Sequence, residues 1–252
     1  MKNLIVANWK MNPANQKEAK ALFEAIKKGL KNEKKVEVVI CPPFVYLNLL
    51  EGLTLGAQNV FYLPAGRQVR GKGAFTGEVS ASQLRDSKVK YVIIGHSESR
   101  KYLNETDTVI NKKIKECLHE KLKPILCIGE TNEEKKTGKK VEVLERQITE
   151  DLKGIIVKEV KNIVIAYEPI WAIGSGNNCS QDETMSSILF IRRVVLKLYN
   201  RKIADNMKVL YGGSVDSDNS ALYIKNTGAN GLLVGGASLY AEKFLKIVKS
   251  VA

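Results

Sequence analysis

Long apolar runs, paired cysteines and histidines are scarce in this chain. No stretch reaches the roughly 18 apolar residues of a membrane-spanning helix. The opening segment MKNLIVANWKMN has one lysine before only a few apolar residues, too short a run for a secretory signal, so a cytoplasmic protein is expected. The four cysteines, Cys41, Cys117, Cys127 and Cys179, lie far apart with no CxxC pair, which gives neither a disulfide framework nor a zinc set. There are two histidines, His96 and His119, and neither has a second histidine at ligand spacing, so no metal site is expected. No GxGxxG turn follows the first strand-like run, and no glycine turn carries the lysine of a nucleotide P-loop. No cofactor is therefore expected. Linkers and low-complexity segments are also missing, which favours one domain over residues 1–252.

Acidic residues are in deficit: 27 against 40 lysines and arginines, a net charge of +13. Such a charge can mark a nucleic-acid binder. Here most lysines alternate with glutamates, as in KEAKALFEAIKKGLKNEKK, and no aromatic–basic alternation offers a stacking surface. The adopted reading is a solvated basic surface with no nucleic-acid partner, whose field favours a small anionic substrate.

What is present is an alternation. Strand-like apolar runs occur at 4–8, 36–42, 55–60, 91–95, 124–129, 163–168, 208–213 and 231–236. Helical patterns cover 15–31 (Ala19, Leu22, Ile26 and Leu30 on one face), 105–120, 139–156, 182–200 and 238–251, with shorter signals at 44–51 and 80–86. Strands apolar on both faces, each followed by a helix, imply a parallel sheet under helices. Eight such units predict a single (β/α)₈ barrel of class α/β, with eight parallel strands inside an outer ring of helices. A doubly wound open sheet is the alternative.

In such barrels chemistry collects at the C-terminal ends of the strands. The sixth strand ends in Glu168-Pro169, followed by IWAIGSG, which is too apolar for an ordinary solvated loop. This predicts a fixed carboxylate base beneath a lid that excludes water. Alone, Glu168 could equally be a strand-end carboxylate in an ion pair. His96 follows the fourth strand at a helix start, Ser97-Glu98-Ser99, where a cation is disfavoured, so a neutral imidazole donating its N–H is expected. A core histidine bonded to backbone is the plainer alternative; His119 falls in a helix with no partner in view. Asn8 and Lys10 sit two apart after the first strand and share a side if the segment is extended. Lys10 could stabilise a developing enolate or only pair with a carboxylate such as Glu98. The turns YGGSV (211–215) and VGGAS (234–238) each read as opening a helix whose free N–H groups hold one small phosphate. A base, a neutral electrophile, a cation, a phosphate cradle and a lid together describe proton transfer beside a carbonyl.

The motifs NWKMN (8–12), GAQNV (56–60), GAFTGEVS (73–80), IIGHSESR (93–100), ILCIGET (125–131), AYEPIWAIGSG (166–176), YGGSV (211–215) and GLLVGGASL (231–239) resemble the triosephosphate isomerase family, in this order and over nearly the whole chain. The resemblance implies a TIM barrel that interconverts dihydroxyacetone phosphate and D-glyceraldehyde 3-phosphate through an enediolate, in glycolysis and gluconeogenesis. It matches Glu168 to the base, His96 to the electrophile, Lys10 to the cation and Asn8 to its neighbour at the substrate oxygens. Gly174, Ser214, Gly235 and Gly236 match the phosphate donors, and the lid keeps the enediolate from eliminating phosphate to give methylglyoxal. A homodimer is implied through the 61–80 loop, with Thr76 near the partner's site. Three places depart from the family pattern. Ser99 replaces a common arginine, Asn177-Asn178-Cys179 forms the far lid hinge, and the twelve residues FYLPAGRQVRGK (61–72) make a longer loop than usual.

Overall fold

The computed structural model describes residues 2–62, 71–174 and 178–252. Eight parallel strands close into a barrel in sequence order: β1 (Asn3–Asn8), β2 (Val36–Cys41), β3 (Thr54–Ala57), β4 (Val89–Ile94), β5 (Lys123–Ile128), β6 (Val164–Tyr167), β7 (Lys208–Tyr211) and β8 (Gly231–Val234). β8 pairs back onto β1, from Leu4↔Gly231 to Ala7↔Val234, leaving no sheet edge.

Strand parity sorts the core. Leu4, Val6, Val39, Cys41, Tyr91, Ile93, Ile125, Cys127, Val164, Ala166, Leu210 and Leu233 fill the barrel interior as one buried cluster. The intervening residues, such as Ile5, Ala7, Val92, Leu126 and Ile165, belong to the larger cluster beneath the helices. Strands buried on both faces read as continuous apolar runs for this reason.

The helices form where cap and periodicity agree. Helix Gln16–Gly29 starts at Asn15, whose side chain accepts the Glu18 N–H, ends on Lys27 and Lys28, and buries Ala19, Phe23 and Ile26. Helix Ala81–Asp86 begins in a Ser80/Gln83 capping box. Three short helices, Ser97–Tyr102, Asn132–Lys136 and Ser220–Asn226, are too brief to show a periodic face in sequence. The pattern at 139–156 stops at Asp151 with Gly154 at φ +72°, and that at 182–200 stops at Leu198 before a new helix, Arg201–Asn206, capped by Asn200.

Two expectations are corrected. β3 ends at Ala57, not at residue 60, because the Gln58 side chain turns to donate to the carbonyls of Lys10 (2.8 Å) and Cys41 (2.9 Å). Gly212-Gly213-Ser214 does not open a helix, since the next one begins at Ser220; Gly236 does open a short 3₁₀ turn, to Leu239.

Candidate active site

The interior parity of the strands continues one step past their C-terminal ends. It reaches Asn8 at the last residue of β1 and Gly95, Gly129, Glu168, Gly212 and Gly235 just after β4 to β8, two candidate functional side chains among four glycines. Gly212 and Gly235 leave room over the barrel, where a Cβ would face Glu168 and Lys10. A Cβ on Gly129 would collide with the Glu168 carbonyl, and one on Gly212 would lie 3.0 Å from the Glu168 Cγ. Gly129 is thus required by how closely Glu168 approaches, while a methyl at Gly212 would push the Glu168 side chain aside.

Above this layer lies a pocket of about 220 Å³ lined by Asn8, Lys10, His96, Glu168 and Gly174 on one part and by Ser214, Gly235 and Gly236 on the other. Its size is below the roughly 300–1,000 Å³ of sites for drug-sized ligands and suits a small one. All eight residues expected at the site meet here.

Glu168 is buried, and its carboxylate has two internal partners. Oε2 accepts the Ser97 N–H at 3.2 Å, and Oε1 lies 3.1 Å from His96 Nε2. His96 caps helix Ser97–Tyr102, its Nδ1 accepting the Glu98 N–H at 3.2 Å. An acceptor Nδ1 carries no proton, so the proton sits on Nε2, facing Glu168. Burial pulls the His96 pKa down, but the charge and hydrogen bond of Glu168, with Glu98 behind, more than offset this and raise it. The helix N-terminus and the Glu98 N–H oppose protonation at the other nitrogen, so the neutral Nε2–H form fits this geometry.

Lys10 reaches the same side as Asn8, but not as an extended residue. Its φ is +54°, a left-handed conformation uncommon for a side-chain-bearing residue. The Lys10 N–H donates to Asn8 Oδ1 at 3.0 Å, and Gln58 holds its carbonyl. Its Nζ is 2.6 Å from Glu98 Oε1, so the anticipated ion pair and the place in the pocket coexist. Sequence reasoning overlooked Gln58, Ser97 and the glycines beside Glu168; only the strand parity could have flagged the glycines.

The described part of the lid runs to Gly174, at φ +66° with open space around its Cα. Ser214 Oγ donates to the Ala172 carbonyl at 2.7 Å, tying the lid to the loop after β7. Trp171 Nε1 donates to Glu130 Oε1 at 2.8 Å, and the fully buried Glu130 also accepts from the Tyr167 hydroxyl at 3.2 Å. Burial raises the Glu130 pKa, against the Trp171 hydrogen bond and the Lys140 charge. Of the far hinge, Asn177 lies outside the described residues, while Cys179 is buried and its carbonyl accepts from Tyr223 Oη at 2.6 Å. His119 is half exposed on its helix with Glu120 for a neighbour, far in sequence and role from the pocket.

Comparison with known proteins agrees with the geometry. The family model described as triosephosphate isomerase matches residues 3–251. The triosephosphate isomerase of Carboxydothermus hydrogenoformans is 44% identical over 98% of both chains. That of Alkaliphilus oremlandii is 42% identical over 98% of both, and that of Dictyoglomus turgidum 40% over 99% of both.

Proposed function

The chain belongs to the triosephosphate isomerase family, and from that premise we propose that Glu168, His96, Lys10 and Asn8 carry out its reaction. The reaction is the interconversion of dihydroxyacetone phosphate and D-glyceraldehyde 3-phosphate, a step of glycolysis. The observation that carries the residue assignment is the convergence of these four side chains with Gly174, Ser214, Gly235 and Gly236 on one small pocket.

Glu168 is the base. Its carboxylate takes a proton from one carbon and returns it to the next. His96 donates from Nε2 to the substrate oxygens, and as a neutral donor it can also accept a proton back there. Lys10 balances the charge that grows on the enediolate. Asn8 fixes the Lys10 backbone through its Oδ1 and turns its amide towards the same oxygens. The phosphate lies across Gly174, Ser214, Gly235 and Gly236, three of them without a side chain. Since Gly174 belongs to both lid and cradle, bound phosphate holds the lid down and water out.

A coupled assay of triose phosphate interconversion tests the base. Glu168→Asp withdraws the carboxylate by one methylene and is expected to lower kcat by about 100-fold or more with KM changed little. Equal turnover in both proteins would remove Glu168 from this role.

We further infer a homodimer, a single domain over 1–252 and a cytoplasmic location. Met11, Phe44, Val45, Tyr102 and Leu103 are exposed in the segments after β1, β2 and β4, and β3, which the segment containing Thr76 follows, lies between β2 and β4 in the barrel. Apolar side chains gathered on neighbouring loops mark an association surface. Residues 63–70 of the lengthened loop lie outside the described residues. Light scattering showing a monomer at micromolar concentration would overturn the dimer. One barrel core supports a single domain. All four cysteines are buried free thiols, which suits a reducing compartment; no described helix is long and apolar enough to cross a membrane.

A further inference from the structure

Gln147 lies on the buried face of helix Lys140–Asp151, beside Val143, Leu144 and Ile148. It is 4% exposed. An apolar side chain would fill that place with no polar group to satisfy, so a buried amide there calls for a reason.

The amide finds both of its partners on one residue, Gly129. Its Oε1 accepts the Gly129 N–H at 2.9 Å, and its Nε2 donates to the Gly129 carbonyl at 3.3 Å. Gly129 is buried, one residue past β5. The ladder to β4 stops before it at Ile94↔Leu126, and the ladder to β6 at Ile128↔Tyr167. Gln147 thus satisfies two backbone groups that the strand pairing leaves behind.

Gly129 is also where the backbone of the base rests. The Glu168 N–H donates to the Ile128 carbonyl at 2.8 Å. A Cβ on Gly129 would lie 1.7 Å from the Glu168 carbonyl oxygen. The Ile128 carbonyl and the Gly129 N–H belong to one peptide unit, which resonance keeps planar. The carbonyl of that unit holds Glu168, and its N–H is held by Gln147. Any turn of the unit disturbs both bonds at once. Through one rigid plane, Gln147 therefore sets where the Glu168 backbone stands. The carboxylate still moves about its own side-chain bonds; what is fixed is the point from which it reaches. Gln147 itself does not line the pocket.

We propose that Gln147 is a positioning residue for the isomerase reaction: by gripping both backbone groups of Gly129 it fixes the peptide that carries the Glu168 backbone, and so the place from which the base meets the substrate carbon. The proposal rests on the assignment of Glu168 as the base, and its amide-exchange tests need no activity.

Two variants and the native protein test it. Gln147→Met has a similar length and removes both hydrogen bonds. Gln147→Glu keeps an oxygen for the Gly129 N–H but, when ionised, has no proton for the Gly129 carbonyl. Per folded molecule, Gln147→Met is expected to lower kcat by about tenfold to 100-fold with KM changed less than about threefold, because a small displacement of the base is costly in rate. Gln147→Glu should lose less, about threefold to tenfold in kcat. An amide that served folding alone would lower the folded fraction and leave kcat per folded molecule unchanged. Hydrogen exchange separates the two roles again. In Gln147→Met the Glu168 amide should exchange about tenfold or more faster relative to the strand amides of β5 and β6, whereas a global loss of stability speeds all of them together. In the native chain the Gly129 and Glu168 amides should be protected to within about tenfold of each other, since they share one peptide unit.

Native kcat in folded Gln147→Met would overturn the proposal, and so would a Glu168 amide whose relative exchange does not change. Should that variant not fold, native kcat in Gln147→Glu would overturn it. A native Gly129 amide exchanging more than about 100-fold faster than that of Glu168 would overturn it without any variant, because Gln147 would then not be holding the shared peptide. If the native chain lacked isomerase activity while the exchange pattern held, the assignment of the base would fall and the hold of Gln147 on Gly129 would stand.

Discussion

The two sides of the pocket are built by opposite means. On the β1, β4 and β6 side, polar side chains are fixed by hydrogen bonds: the Lys10 backbone by the Asn8 and Gln58 side chains and its ammonium by Glu98, His96 by the Glu98 N–H, Glu168 by the Ser97 N–H. On the β7 and β8 side the lining is mainly glycine, with Ser214 and the apolar Val215, Leu233 and Ala237, and carries no charged side chain. The difference follows from the chemistry. A moving proton and a growing oxyanion need groups of chosen charge at chosen distances, which only side chains supply. A phosphate dianion that takes no part in bond changes is held well by backbone N–H groups, and any side chain there would displace it.

This contrast can be broken experimentally. The largest effect is expected from Lys10→Met, which leaves the enediolate and the phosphate without their cation. Here kcat/KM should fall by about 1,000-fold or more, and added salt should not restore it. A pair of glycine substitutions sharpens the comparison. Gly212→Ala puts a methyl 3.0 Å from the Glu168 Cγ, so the base must shift; kcat should fall by roughly tenfold to 100-fold with KM nearly constant. Gly236→Ala meets no heavy atom within 4 Å, so the fold accepts it, but the methyl stands in the part of the pocket proposed to hold the phosphate. There KM should rise by about tenfold with kcat nearly constant. The reverse pattern in the two alanine variants would refute the division between the sides.

A smaller effect tests the His96–Glu168 contact. Because Glu168 raises the His96 pKa against burial, Glu168→Gln is expected to lower it. Nuclear magnetic resonance of the imidazole nitrogens reads this, and the native protein at pH 7 should show the proton on Nε2. A His96 titration unmoved by Glu168→Gln would mean the two groups do not interact in solution.

The smallest expected effect lies behind the site. Arg100 ties the Gly95 and Cys127 carbonyls to Asp107 and to the buried Asp151. Burial raises the Asp151 carboxyl from 3.8 to about 7, with Arg100 opposing and Asp107 adding to the rise. One Asp151 oxygen has no donor, and one guanidinium serves two carboxylates, which agrees with that direction. A folded-state pKa above the unfolded one means that the native chain holds a proton the unfolded chain has released. The contribution of Asp151 to stability is therefore full below about pH 4 and is lost as pH rises towards 7. Urea unfolding across that range should show a stability slope in the native protein that is reduced in Asp151→Asn.

Much of the barrel was legible because burial on both faces leaves a continuous apolar run at each strand, and eight such runs alternate with helical faces. The segments that stayed hidden are short. Helix Ser97–Tyr102 carries His96 at its cap, yet its six residues show no periodic face. Nothing in the spelling of residues 55–60 says that Gln58 leaves the strand to hold Lys10, since its two acceptors come from β2 and from the loop after β1. Asn8 and Lys10 were expected to share a side as extended neighbours. They do share it, but through a left-handed Lys10 whose carbonyl and N–H are both restrained by other side chains.

The sequence by itself determined the number and order of the strands, the identity of the chemical groups and the family, because each is written in local pattern and motif. It also set Glu168 directly before Pro169 and an apolar segment, from which a lid was expected. Only the tertiary structure decided which atoms of those groups face one another. Ser97 N–H on Glu168, the Nε2 proton of His96 and the Lys135 ammonium over Trp171 join residues 71, 72 and 36 positions apart. Their positions follow from closing a barrel, which brings the ends of β4, β5 and β6 side by side whatever lies between them in the chain.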